Sequence, residues 1–132
     1  MTTLAEARDG LAEAITAGTG LRMYAYQGDT VNAPCGFVRS DEFDPRMVLG
    51  RDKAAYPFTV TVYVARVAEV AGFKKLDELR EPVGGITSAV EDGDNWSVTV
   101  DYAQVVNIGT PTATAHADDV YLTCDFEIEV CF

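Results

Sequence analysis

Three carboxylates alternate near the end of the chain, Asp125, Glu127 and Glu129, and in a strand that spacing puts all three on one face. Such a set can supply a general acid and a general base when burial raises the pKa of one member. Nothing in the sequence builds a pocket around these three, so they are read as a solvated or paired strip, where neighbouring like charges need a counter-charge. Asp92 and Asp94 resemble the start of a calcium loop. Counting from Asp92, however, position six is Ser97 where glycine is needed, and position twelve is Ala103 where a bidentate glutamate is needed. His116 is the single histidine, flanked by Ala115 and Ala117, and no serine or cysteine sits in a recognisable nucleophile turn. Cys35, Cys124 and Cys131 lack a Cys-x-x-Cys pair, which argues against a disulfide framework or structural zinc. Cys124 is expected in the core and Cys131 on the opposite, outward side. There is no glycine-rich phosphate loop. The residues predict no catalytic group, no metal and no cofactor, hence a protein that is not an enzyme.

The natural partner for an acidic strip is a basic element, and the chain has one in Arg46, Arg51 and Lys53. These lie in a polar loop over 44–55, between strands expected at 35–43 and 56–65. In the second strand Tyr56, Phe58, Val60, Val62 and Val64 alternate with Pro57, Thr59, Thr61, Tyr63 and Ala65, the period of two that gives a strand one apolar face. The loop exceeds the usual hairpin length and reads as a functional projection.

Other elements follow from similar signals. Thr3-Leu4-Ala5-Glu6 forms a capping box, after which Leu4, Ala7, Leu11, Ala14 and Ile15 recur at helical spacing, with Gly18 and Gly20 marking the end. A short strand is expected over 21–26. Val70, Phe73, Leu76, Leu79 and Val83 describe a second helix, interrupted by Pro82 and stopped by Gly84-Gly85. One further helical turn is expected at 86–91. A strand then begins at Trp96, with Val98, Val100 and Tyr102 alternating, and its register breaks beyond Ala103 in the manner of a bulge. The Thr/Ala-rich stretch 110–119 reads as a connection. The last strand places Val120, Leu122, Cys124, Phe126, Ile128, Val130 and Phe132 inward and the intervening residues, Cys131 among them, outward. The order predicts an α+β fold, an about five-stranded, mainly antiparallel or mixed sheet with two helices packed on it. No repeat or linker divides the 132 residues, so one domain over 1–132 is expected.

The net charge is −11, from 21 acidic and 10 basic residues. That field repels phosphate backbones and lipid headgroups, which disfavours gripping nucleic acid or a membrane but permits a smooth acidic channel. There is no secretory signal pattern and no apolar run long enough to span a bilayer, so cytoplasmic synthesis is expected.

Several blocks spread over nearly the whole chain resemble tail terminator proteins of long-tailed phages that infect actinobacteria. They are Thr3-Leu4-Ala5-Glu6-Ala7-Arg8, Leu21-Arg22-Met23-Tyr24-Ala25-Tyr26, Asn32-Ala33-Pro34-Cys35, Phe43-Asp44-Pro45-Arg46, Tyr56-Pro57-Phe58 and Tyr121-Leu122-Thr123-Cys124-Asp125-Phe126. The resemblance implies a virion protein, assembled in the host cytoplasm. It forms a homohexameric ring that caps the tail tube, stops its growth and offers the surface where the head docks. Tail tube protein would meet one face and the head-side connector the other, with DNA passing through the lumen without sequence-specific binding. A closed ring repeats one heterologous interface, and the candidate pair is Arg46, Arg51 and Lys53 of one copy against Asp125, Glu127 and Glu129 of the next. The alternatives are a head-side stopper protein of similar size, or a small acidic ligand-binding domain.

Overall fold

Alternating apolar and polar residues produce two long strands that pair with each other. In the computed structural model, which describes residues 2–26, 31–42, 55–66, 70–116 and 119–132, these are β3 (Ala55–Arg66) and β6 (Asp119–Cys131). Their antiparallel register sets Phe58 opposite Ile128, Val60 opposite Phe126 and Val62 opposite Cys124. The remaining strands are β1 (Arg22–Tyr24), β2 (Cys35–Ser40), β4 (Tyr102–Ile108) and β5 (Thr112–His116). The sheet order is β1-β2-β3-β6-β4, with β5 also pairing β6. Only β1 and β2 run parallel, so the sheet is mixed.

Helices α1 (Leu4–Thr19), α2 (Val70–Arg80) and α3 (Ile86–Glu91) pack on one face of this sheet, making the fold α+β. The capping box starts α1 as expected, with the Thr3 hydroxyl accepting from the Glu6 amide and the Glu6 carboxylate accepting from the Thr3 amide. Ala7, Leu11, Ala14 and Ile15 are buried. The helix runs through Gly18 and stops at Gly20, whose φ of 75° is the left-handed conformation that a glycine adopts without a Cβ penalty. Phe58, Val60, Val62, Phe126, Ile128 and Val130 meet Leu11, Ile15, Leu76, Leu79, Ile86 and Val90 in one core. Each such large side chain contributes about 1.5–3 kcal/mol when fully buried.

Several expectations need correcting. The strand expected from Trp96 begins at Tyr102, and 96–101 instead lies against the helices. The Trp96 indole N–H donates to Val90 O at 2.8 Å and the Asn95 amide to Ala89 O at 2.9 Å, so this segment caps the C-terminus of α3. The stretch 110–119, read as a connection, contains β5. The first strand is shorter than 21–26, and β2 stops at Ser40 rather than at residue 43. Cys131 is 3% exposed rather than outward, and Val120 is exposed rather than inward. In α2, Leu76 and Leu79 are buried, whereas Phe73 is exposed and Val83, beyond the helix, is 87% exposed. The expected bulge is present, with the β4–β6 register shifting between Val105 and Asn107. The loop 44–55 with Arg46, Arg51 and Lys53 lies outside the described residues, apart from Ala55 in β3.

Gly18 marks a close approach rather than a helix end. A Cβ there would lie 2.4 Å from Ala89 Cβ and 2.8 Å from Ala89 Cα. Gly18→Ala, which in an open helix would gain about 1 kcal/mol from propensity, is expected here to destabilise by about 1–3 kcal/mol through overpacking. Urea denaturation checks the sign.

Candidate functional site

The face of the sheet on which no described helix packs is divided into two zones. One is apolar: Tyr24, Phe37, Tyr63 and Tyr121, from β1, β2, β3 and β6, stand in line. Consecutive ring centroids are 5.6, 5.6 and 5.8 Å apart, the spacing of offset and edge contacts. Cys35 and Val31 complete this smaller cluster. Sequence reading placed Tyr63 and Tyr121 on the other half of their alternating strands and gave Tyr24 and Phe37 no face, since only the register of four strands aligns them.

The other zone is the acidic strip, which falls on β6 as the alternation predicts. Asp125 is exposed and accepts from the Thr61 hydroxyl at 2.6 Å. Glu129 accepts from the Tyr102 hydroxyl at 2.8 Å and from the Gln104 amide at 3.2 Å, both on neighbouring β4. Glu127, between them, is exposed and has no polar side-chain partner among the described residues. A fourth carboxylate, Asp41, joins from beyond β2; it pairs with Arg39 at 3.2 Å and accepts from the buried hydroxyl of Thr59. The period-two spacing of Arg39 and Asp41 is the one sequence signal that could have found it.

Asp41, Glu127 and Glu129 flank a groove of about 350 Å³ whose apolar lining includes Ala55, Pro57 and Val106. Val106 is the residue left unpaired by the β4 bulge, and a bulge re-aims side chains in this way. The groove thus combines carboxylates with an apolar lining. Its chemistry suits a long cationic side chain, whose methylenes pack on the apolar lining while its head reaches the carboxylates. No described His, Cys, Asp and Glu residues are grouped so as to hold a metal ion. The basic residues expected to face this strip, Arg46, Arg51 and Lys53, lie outside the described residues. Burial pushes the Cys35 and Cys124 thiols up, which keeps both protonated.

No protein-family model matches the chain, and no curated protein matches it.

The strip has one titration signature. The hydrogen bond to Glu129 holds the Tyr102 proton and raises its pKa from 10.0 to about 12, with lesser contributions from burial and nearby negative charge. A raised folded-state value means that the bond's contribution is complete below pH 10.0 and is lost as the pH climbs through about 12. Glu129→Gln is expected to bring the Tyr102 titration back toward 10.0. Ultraviolet titration of the phenolate against a Tyr102→Phe control measures it.

Proposed function

We propose that this chain is a ring-forming structural protein of the tail terminator type. It sits at the head-proximal end of a phage tail tube, where it stops polymerisation and presents the head-joining surface. The sequence blocks that resemble such proteins support the reading. The observation that carries it is the helix-free sheet face, whose acidic strip leaves Glu127 without a described partner beside a groove shaped for a cationic side chain. A surface of that kind is completed by a second protein chain more readily than by a small substrate, since it is an open groove on a sheet face rather than an enclosed cavity.

In a ring, Arg46, Arg51 and Lys53 of one copy meet Asp125, Glu127 and Glu129 of its neighbour. Six copies would carry on the order of −66 formal charges, from six times the −11 of one chain. Carboxylates that face the lumen would repel the DNA backbone and let it slide.

The test is negative-stain microscopy of the protein mixed with self-assembling tail tube protein from its own source. Capped tubes with six-fold end rings are expected. Bare tubes that continue to elongate would move the assignment to a head-side stopper or a small ligand-binding domain. Reversing Arg46 and Arg51 together, as Arg46→Glu and Arg51→Glu, is expected to cut ring formation by about tenfold or more; rings formed as before would remove that loop from the contact.

A further inference from the structure

The last basic residue of the chain is Arg80; from Glu81 to Phe132 there is no lysine or arginine. Arg80 stands in the final turn of α2, where the helix dipole favours a cation. Its side chain is half-buried, and its Nε–H is closed to water and has no acceptor. Among the described residues the guanidinium makes no hydrogen bond and no ion pair. Its neighbours are of another kind. Arg80 shares a pocket of about 330 Å³ with Ile108 of β4, and its charge opposes the rise that burial gives the Cys124 thiol of β6. A buried donor without an acceptor costs its desolvation, and a charged one costs more than a neutral one. Folded proteins meet that cost with a partner.

The same face of α2 offers an apolar anchor. Phe73, Asp77 and Arg80 follow one another at spacings of four and three residues, which lines them up along the helix. Phe73 is 46% exposed, although the helix buries Leu76 and Leu79 on its adjoining face. Seven residues of helix separate Phe73 from Arg80 by about 10 Å. Asp77 and Glu81 also line the pocket. Together with the net charge of −11, they repel a multiply charged anion such as phosphate more than they repel a single carboxylate.

We propose that Arg80 anchors a carboxylate-binding site for a partner polypeptide, whose Asp or Glu side chain enters the pocket while an apolar residue of the same segment packs on Phe73. A carboxylate engages the planar guanidinium through two parallel bonds, and so brings the acceptor that the described residues do not supply. An apolar anchor and a charged fork about 10 Å apart match side chains three residues apart in an extended segment. The site belongs to the helix-covered side of the fold, opposite the strip at Asp125, Glu127 and Glu129. It goes beyond the ring reading and stands whether or not the chain caps a tail tube.

The Arg80 Nε–H resonance in a nitrogen–proton correlation spectrum of the whole protein, assigned by its loss in Arg80→Lys, reads the site directly. The probes are acetyl-Leu-Ala-Ala-Glu-amide, its Gln counterpart and inorganic phosphate. The Glu peptide is expected to shift that resonance saturably, and the Gln peptide to bind about tenfold more weakly or worse. Phe73→Ala should weaken the Glu peptide several-fold, and Asp77→Asn should tighten it by removing a like charge from the pocket. Arg80→Met keeps the stem and removes the donor, so it is expected to unfold at about the same urea concentration as the unaltered protein while losing the peptide. A resonance that the Glu peptide leaves in place, or that the Gln peptide moves equally, would overturn the proposal. Phosphate binding as tightly as the Glu peptide would replace it with a simple anion site. Clear destabilisation in Arg80→Met would assign the guanidinium to the fold and sink the site as well.

Discussion

The antiparallel pairing of β3 with β6 is the constraint on which the other parts depend. These are the two longest of the described strands, and a one-residue slip between them would turn the apolar set of one away from the helices. Phe58, Val60, Val62, Phe126, Ile128 and Val130 are all buried on the helix-facing side, so the register is held by burial along almost the full length of the pair. The same register has a second consequence on the other face. It sets Thr61 beside Asp125 and Thr59 beside Glu127, which places the carboxylate strip in the middle of the sheet rather than at its rim.

Around this pair, short-range polar contacts decide where the chain turns. The helix α3 is only six residues long and would be marginal in isolation. Its last carbonyls are taken by the Asn95 amide, the Trp96 indole and the Asp92 amide, while Glu91 reaches across to the Val105 N–H on β4. The helix, the segment that follows it and the outer strand are thereby joined as one unit. Gly10 and Gly18 let that unit come close to α1, where a Cβ would collide with Val98 and Ala89 respectively. These contacts hold β4 in place, and β4 supplies Tyr102, Gln104 and Val106 to the acidic zone.

A surface chemistry emerges that neither element has alone. The hydroxyls of Tyr102 and Thr61 and the Gln104 amide engage Glu129 and Asp125, easing the repulsion among carboxylates on alternate positions of one strand. Glu127 has no polar side-chain partner among the described residues.

Much of this was legible in the residues. Strict alternation in β3 and β6, the capping box at Thr3 and the glycine at position 20 are local signals, and local geometry alone produces them. The face on which Asp125, Glu127 and Glu129 lie follows from alternation too. What sequence could not decide is what alternation means when a neighbour is already present. Trp96, Val98 and Val100 have the spacing of a strand, but Trp96 and Val98 meet α1 at Gly10 and the Trp96 indole N–H reaches α3, so tertiary packing overrides the pattern. Thr112 to His116 carries little apolar signal and becomes a strand because β6 extends far enough to pair with it. Cys131, placed outward by parity alone, is buried at 3% exposure, and Val120, placed inward, is exposed. Parity determines which side of a strand a residue faces; whether that side is covered is decided only when the rest of the molecule has packed around it.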